Sequence, residues 1–395
     1  MHVFRIIGWL LPACLSACGE PGMTPGAADL PPSGDERGCQ SFGNEVVVRD
    51  VPLGETYRIA ALANSYLVAW HTNTRDVPRE VNFHLFGLGG EAVTTNPVTI
   101  PHGEVDLNFV IAGKDGRYYV QTVESVAGRP LYWLHALSPE DTTSIVSAPL
   151  TENMNVSGMA VSPWGLLAVS GSSTAEESSY AVSTVDEKAT LTHFAEIREA
   201  GTTCPVVSAV AASHNQLAIA AVRETTRGTR KLSVIIRSAD GSVNDVLIEE
   251  HQRVALEEAF YCASYAVYIK KLFALPDGSF GVWWWDYRVA GYYLTVVSNT
   301  GVAGPARRIK PVQFPGISDL AWVEGDFVAS VYQYNGRPDE VGILRLQLDL
   351  EVETSDYLKL GIDSWEAPKI ASTGRHLAVV RNSLESPAVY FLACR

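Results

Sequence analysis

A single repeat runs through most of this chain and limits what it can fold into. In each copy a short run of small and apolar residues leads into a tight turn, and a second apolar run follows. Pairs such as Asp115-Gly116 and Asp277-Gly278 occupy the turns, and such pairs are typical of connections between antiparallel strands. The seven copies span residues 59–70, 107–120, 158–170, 209–221, 271–284, 318–331 and 370–380.

The copies recur with a regular period. The residues just after the turns are Leu67, Tyr118, Leu166, Leu217, Phe280, Phe327 and Leu377, and the successive spacings are 51, 48, 51, 63, 47 and 50. A polar segment and further apolar runs, such as 81–88 and 231–237, follow each copy, so each period holds about four strands. The spacing of 63 indicates an insertion in one unit.

This pattern resembles the seven-bladed β-propeller class across residues 39–395, which implies an all-β fold. The seventh unit ends after three strands, the last over 388–393, so we expect a strand over 45–51 to complete that blade and close the ring. Two packed β-sandwiches are the alternative, but they do not explain the recurring turn. WD-repeat and Asp-box signatures are absent, so no functional residue is carried over from those families.

The N-terminus has the order of a secretory signal, with Arg5 before an apolar run that is too short to span a bilayer. Leu15-Ser16-Ala17-Cys18 resembles the bacterial lipobox. The resemblance implies that residues 1–17 are removed and that Cys18 carries the lipid of a membrane-anchored lipoprotein. An uncleaved N-terminus with an incidental cysteine is the alternative. Gly19 in place of Asp suggests the outer membrane, by analogy with enterobacterial sorting.

Residues 18–38 then read as a disordered tether rich in proline and glycine. Beyond it, four cysteines remain: Cys39, Cys204, Cys262 and Cys394. An even number in an oxidising compartment suggests two disulfides, and four cysteines allow three pairings. Closure of the ring brings the two chain ends together, which favours Cys39 with Cys394 and hence Cys204 with Cys262. A metal site lacks suitable ligand spacing, and no cofactor motif is present.

The composition and motifs limit the function. A formal charge of −14 argues against nucleic acid as a partner, because phosphate binding needs a concentrated basic surface. Catalytic motifs such as HExxH or GxSxG are missing, and the nine histidines are scattered. No catalytic residue is therefore assigned.

One face of the expected disc collects the loops between second and third strands, and such loops often carry binding sites. We expect these loops over residues 71–79, 123–130, 171–178, 223–230, 286–291, 332–339 and 382–387. Arginines recur there, and Trp285 and Tyr287 end the run Trp283-Trp284-Trp285-Asp286-Tyr287. In a strand, Trp283 and Trp285 would face one side and Trp284 the other. Packing between blades is the other interpretation of the tryptophans, and pairing with acids of the same loop is the other interpretation of the arginines. The possible binding face comprises Arg75, Arg79, Arg129, Arg223, Arg227, Arg230, Trp285, Tyr287, Arg288 and Arg337.

Three functions are compatible with these features. The first is a noncatalytic, lipid-anchored binding or assembly module whose partner is an envelope protein or a glycan. The second is a glycan-acting hydrolase or lyase with its site on the propeller axis. The third is a structural surface lipoprotein without a small-molecule site. Carboxylates facing the axis would favour the enzyme, and an axis plugged by apolar side chains would favour the structural protein.

Overall fold

A computed structural model gives the fold of the protein. It describes residues 39–41, 46–47, 57–71, 80–94, 98–100, 105–113, 115–126, 129–142, 144–150, 156, 158–173, 177–200, 202–213, 215–225, 229–252, 267–309, 316–323, 326–334, 338–346, 357–361, 364–383 and 388–394. The proposed signal peptide, Cys18 and the tether lie outside these residues. In the described part of the chain, no helix is long and apolar enough to cross a membrane.

Six sheets of four antiparallel strands follow one another along the chain, and we number them as blades 1 to 6. Blade 1 holds β3 (Tyr57–Ala61), β4 (Ser65–His71), β5 (Val81–Gly87) and β6 (Val98–Thr99). Blade 2 holds β7 (Val105–Ala112), β8 (Tyr118–Val126), β9 (Arg129–Leu137) and β10 (Ile145–Pro149). Blade 3 holds β11 (Gly158–Ser162), β12 (Gly165–Ser173), β13 (Glu177–Val185) and β14 (Leu191–Ala200).

The next three blades repeat the same up-and-down order. Blade 4 holds β15 (Thr202–Ala212), β16 (Gln216–Thr225), β17 (Thr229–Ser238) and β18 (Val243–Gln252). Blade 5 holds β19 (Val267–Ala274), β20 (Phe280–Asp286), β21 (Gly291–Val297) and β22 (Arg307–Ile309). Blade 6 holds β23 (Gly316–Val323), β24 (Asp326–Tyr334), β25 (Pro338–Leu346) and β26 (Tyr357–Gly361).

Blade 7 draws its strands from both ends of the chain. It contains β27 (Ser364–Ser372), β28 (His376–Ser383) and β29 (Ala388–Cys394), together with β1 (Cys39–Ser41) and β2 (Val46–Val47). Both short N-terminal strands pair with β29, so β1 and β2 complete this blade. The strand expected over 45–51 is represented by β2, while β1 lies upstream of the expected range.

The first strands of the seven blades form a closed ring of neighbours. Each touches the first strand of the next blade, and β27 of blade 7 touches β3 of blade 1. The molecule is therefore a seven-bladed β-propeller with these strands around its axis, as the repeat predicts. Small residues suit this crowded position, as in the Ala209–Ala212 end of β15.

The core lies between successive blades, because each sheet buries apolar side chains on both faces. Trp284 packs with Val222 and Val234 of blade 4, whereas Trp283 packs with Phe327 of blade 6. Both indoles are 2% exposed. Neighbouring residues of a strand point to opposite faces. The side chains of Trp283 and Trp284 therefore connect blade 5 to blade 6 and to blade 4.

The connections between second and third strands are shorter than expected. In place of the loop expected over 223–230, Arg223 lies inside β16 and Arg230 lies inside β17. In place of the loop expected over 123–130, β8 extends to Val126 and Arg129 begins β9. Likewise, β12 and β13 extend into the loop expected over 171–178. Backbone hydrogen bonds hold a hairpin together whatever the side chains are, so polar residues near its end do not stop the pairing.

Candidate functional site

The antiparallel order of each blade gives the disc two distinct faces. We call the face with the connections between second and third strands the upper face, and the face with the connections between first and second strands the lower face. Tyr287 lies in the upper-face turn that joins β20 to β21. Its side chain is 63% exposed, and Val289 in the same turn is 50% exposed.

Three aromatic side chains lie beside this turn, and Tyr287 lies in it. We call these four residues the blade-5 aromatic cluster: Tyr268, Trp285, Tyr287 and Tyr292. Trp285 and Tyr292 have ring centroids 4.3 Å apart. Tyr287 meets the rings of Trp285 and Tyr268 edge-on, at 5.9 and 5.3 Å. Because the Trp285 and Tyr287 planes are inclined by 86°, the two rings form a corner rather than a flat stack.

The strand register assembles this cluster from three strands. Tyr268 of β19 is directly opposite Trp285 of β20, and Trp285 is directly opposite Tyr292 of β21. Residues directly opposite each other in a sheet share a face, so these three rings lie side by side. Ala290 has a φ of 45°, which lies in the left-handed region of backbone conformation. This conformation allows the tight turn after Tyr287. The turn thereby places Tyr287 over the row of rings.

The cluster is also fixed against blade 6. Burial raises the pKa of Tyr292 to about 12, with a smaller increase from Tyr332, and a hydrogen bond with the Ile317 backbone acts in the opposite direction. The Tyr332 ring packs onto Gly316, where a Cβ atom would overlap it. Tyr292 therefore stays a neutral phenol at physiological pH and joins the third strand of blade 5 to the first strand of blade 6.

Arg288 supplies the polar border of the cluster. Its Nε donates to Asp286 Oδ1 at 2.9 Å, and its Nη2 donates to Asp286 Oδ2 at 2.7 Å and to Glu249 Oε1 at 2.8 Å. The hydrogen bonds to Asp286 are the main reason that the pKa of Arg288 is raised. Two carboxylates thus hold one guanidinium, and they fix the turn that carries Tyr287.

Arg223 and Arg230 lie inside blade 4 and are fully buried. Arg223 Nη2 donates to Asp245 Oδ1 at 2.8 Å and to the Ser233 hydroxyl. Arg230 Nη1 lies 3.0 Å from Glu224 Oε2, directly across the hairpin. For these two arginines and for Arg288, pairing with nearby acids is the arrangement that the structure shows.

The remaining sequence candidates give no side-chain geometry. Arg75, Arg79, Arg227, Arg337 and Cys262 lie outside the described residues, as do the side chains of Arg129, Cys39 and Cys204. Of the possible binding face, Trp285, Tyr287 and Arg288 come together, in blade 5. The sequence interpretation missed Tyr268 and Tyr292, because nothing in their local sequence shows which strand lies opposite Trp285.

The lower face carries a polar cavity of about 760 Å³ between blades 4 and 5, lined in part by Gln216, Asp240, Asp277 and Asn299. Gln216 Nε2 donates to the Asn299 carbonyl at 2.9 Å and so links the two blades. Hydrogen bonds from Ser242 and Ser279 hold the pKa values of Asp240 and Asp277 below their ordinary range. Both carboxylates therefore stay ionised at neutral pH.

Comparisons with known proteins identify the fold alone. No protein-family model and no curated protein sequence matches the chain. The chain is similar to the β-propeller domain of the trilobed protease from Pyrococcus furiosus, with 9% identity, a TM-score of 0.52, and coverage of 86% of this chain and 95% of that one. It is also similar to a polysaccharide lyase, with 10% identity, a TM-score of 0.51, and coverage of 87% and 90%.

Proposed function

We propose that the protein is an exported, lipid-anchored binding module that holds a glycan of the cell envelope on the blade-5 aromatic cluster. The observation that carries this proposal is the corner formed by Trp285 and the exposed Tyr287, bordered by the Arg288–Asp286–Glu249 ion pairs. Leaving an aromatic side chain 63% exposed forgoes the stabilisation that burial would give. A bound ligand would recover it.

A pyranose ring suits this corner chemically. Its C–H faces are apolar and pack on aromatic rings, while its hydroxyl groups form hydrogen bonds at the edge. Carboxylates and a guanidinium held in place beside the rings supply acceptors and donors of fixed direction. Tyr287 and Trp285 would provide the stacking surfaces, and Glu249 and Arg288 would contact the hydroxyl groups.

Binding of purified envelope polysaccharide to immobilised protein tests this proposal. We expect Tyr287→Ala and Trp285→Ala to weaken binding roughly five- to tenfold, the range expected for a lost aromatic contact. Tyr287→Phe keeps the ring and should bind like the wild type. Val302→Ala is the matched control, because Val302 is 64% exposed in the lower-face turn after β21. Unchanged binding by both alanine variants would refute the proposal.

The same mixtures also test the enzymatic alternative. The lyase similarity is one of fold, and the cluster offers no nucleophile beside a general base among its described residues. Shortened or unsaturated oligosaccharides in the supernatant would show that the polysaccharide is cleaved. The protein would then be a glycan-acting enzyme and not a noncatalytic binding module. Intact polysaccharide after prolonged incubation, together with aromatic-dependent binding, supports the binding module.

The anchoring part of the proposal rests on the lipobox-like segment that ends at Cys18. Metabolic labelling with a radioactive fatty acid should mark the wild-type chain in the membrane fraction. Cys18→Ala should lose the label and the membrane association. A membrane-bound, unlabelled wild-type chain would contradict lipidation at this position.

Export also makes a disulfide possible. We propose that Cys39 and Cys394 are bridged, because they are opposite each other in the pairing of β1 with β29. The pairing of Cys204 with Cys262 is the corresponding proposal for the other two cysteines.

A further inference from the structure

A second arginine lies against the upper-face turn that carries Tyr287. Arg308 of β22 donates through its Nη2 to the Val289 carbonyl at 3.3 Å and to the Ala290 carbonyl at 3.4 Å. Both carbonyl groups belong to the turn between β20 and β21. The Arg308 guanidinium is therefore attached to the same short turn as the exposed ring of the blade-5 aromatic cluster.

Gly291 leaves the space that Arg308 occupies. A Cβ atom at residue 291 would lie 2.9 Å from Arg308 Nε and 3.1 Å from the Tyr293 ring. Arg308 is directly opposite Tyr293 in the pairing of β21 with β22, so the two side chains share a face of blade 5. Strand register and the absence of a side chain at residue 291 thus place the guanidinium beside the turn.

The two arginines at this turn differ in how their charges are balanced. Arg288 forms ion pairs with Asp286 at 2.7 Å and with Glu249 at 2.8 Å. Arg308 is exposed and forms no ion pair with a carboxylate in the part of the chain that the structure describes. Its hydrogen bonds there go to uncharged carbonyl groups. The positive charge at the turn that a ligand can meet is therefore that of Arg308.

Most of the hydrogen-bonding capacity of Arg308 is available to such a ligand. A guanidinium has five N–H donors, and the two contacts with the turn involve Nη2. Their distances of 3.3 and 3.4 Å are long for N–H···O hydrogen bonds, so they orient the group without using its donors fully. The planar fork of a guanidinium matches two oxygen atoms of a carboxylate or a sulfate group.

Arg308 also lies near the surface on which we place the glycan. Tyr287 and Val289 are two residues apart, so their Cα atoms are separated by at most about 7.6 Å. The Val289 carbonyl in turn lies 3.3 Å from Arg308 Nη2. A glycan of several sugar units can therefore stack on Tyr287 and present a charged substituent of a neighbouring unit to Arg308.

We propose that Arg308 makes the blade-5 site selective for acidic glycans, whose carboxylate or sulfate group pairs with its guanidinium. The inference rests on the proposed function, because it requires a glycan to be held by Trp285 and Tyr287. It adds the chemical class of that glycan and the residue that selects it. Asp286 and Glu249 oppose this selection little, because Arg288 already neutralises part of their charge.

Displacement of labelled envelope polysaccharide from the immobilised protein tests the selectivity. The competitors form two matched pairs: polygalacturonate fragments with the same fragments after carboxyl reduction, and dextran sulfate with dextran of equal length. We expect the acidic member of at least one pair to displace the label at roughly fivefold lower concentration, as for an exposed ion pair with favourable geometry. A preference in the first pair indicates a uronate, and a preference in the second a sulfate ester.

Three variants separate Arg308 from general charge effects. Arg308→Gln should abolish the preference and leave displacement by the neutral competitors unchanged. Gly291→Ala keeps the charge but displaces the guanidinium, so it should reduce the preference. Arg307→Gln is the matched control, because it removes the same charge from the next residue of β22, whose side chain points to the opposite face of the sheet. Thermal unfolding of each variant verifies that it is folded.

The outcomes distinguish this inference from the proposed function. Equal displacement by the acidic and neutral members of both pairs, or an unchanged preference in Arg308→Gln, would overturn the selectivity. An equal loss of preference in Arg307→Gln would also overturn it. If binding of the label still depends on Tyr287 in those cases, the proposed function stands without this inference. If the wild type does not bind the label at all, both fail.

Discussion

Cys39 lies directly opposite Cys394 in the antiparallel pair that completes blade 7. Directly opposite residues of such a pair have Cα atoms about 4.5–5.5 Å apart, which falls within the span of a disulfide. The pairing uses only three residues of β1, and β2 adds two more. A covalent link would therefore reinforce a short stretch of sheet.

We expect Cys39→Ser and Cys394→Ala each to lower the free energy of unfolding by about 2–4 kcal/mol, the usual contribution of a disulfide. Guanidinium denaturation of the oxidised proteins measures this loss. In the presence of a reductant, the wild type and Cys39→Ser should unfold at similar denaturant concentrations. Equal stability of the oxidised wild type and both variants would show that the bridge does not form.

The buried pair in blade 4 predicts an asymmetric mutational response. Arg230 is 0% exposed and Glu224 is 10% exposed, so removal of one partner leaves a charge without compensation in the interior. Arg230→Met should cost about 3–5 kcal/mol in urea unfolding. Replacing both, with Arg230→Met and Glu224→Leu, should restore much of that loss. A double variant as unstable as the sum of the single variants would contradict this coupling.

The contact between Gly316 and Tyr332 predicts a steric effect next to the candidate glycan site. A Cβ atom at residue 316 would overlap the Tyr332 ring, so Gly316→Ala should cost about 1–3 kcal/mol, as overpacking does. Tyr332→Ala removes the ring that the new Cβ atom would overlap. The double variant Gly316→Ala/Tyr332→Ala should therefore have a free energy of unfolding close to that of Tyr332→Ala alone. Denaturant unfolding of the wild type, both single variants and the double variant measures the coupling energy between residues 316 and 332.

The raised pKa of Tyr292 predicts a change in stability on the alkaline side. Its folded pKa is about 12, above the ordinary value of about 10, so the folded state favours the neutral phenol. The stabilisation of the folded state that this pKa difference gives is fully present below pH 10 and is lost as the pH rises toward 12. Absorbance of tyrosinate should show one fewer group titrating near 12 in Tyr292→Phe. Its stability should also fall less steeply with pH than that of the wild type.

The sequence predicted the order of the blades because every blade repeats the same physical requirement. Leu67, Leu166 and Leu377 each lie near the start of a second strand that must be buried on both faces, so the apolar runs recur with the blade period. The exact extent of hairpins was less predictable. Arg223 and Arg230 were placed in a loop on their polarity, yet both continue the strands and are buried with acidic partners.

The candidate sites depended more on contacts between distant residues. Alternation predicted that Trp284 and Trp285 face opposite sides, and the structure confirms it. Tyr268 and Tyr292 join Trp285 only through strand register, which local sequence does not specify. Lys270 is the extra residue of a bulge in β19. A simple alternation starting from Lys271 gives no reason to expect that bulge.

The end of β29 also determines how the disc is presented. The Cys394 N–H donates to the Arg375 carbonyl at 2.9 Å, which places this end, and Cys39 opposite it, beside the lower-face turn between β27 and β28. Cys39 and Cys394 therefore lie on the side of the disc opposite the turn that carries Tyr287. Reduction of a bridge there would loosen the closure of the ring on the face that does not carry the blade-5 aromatic cluster.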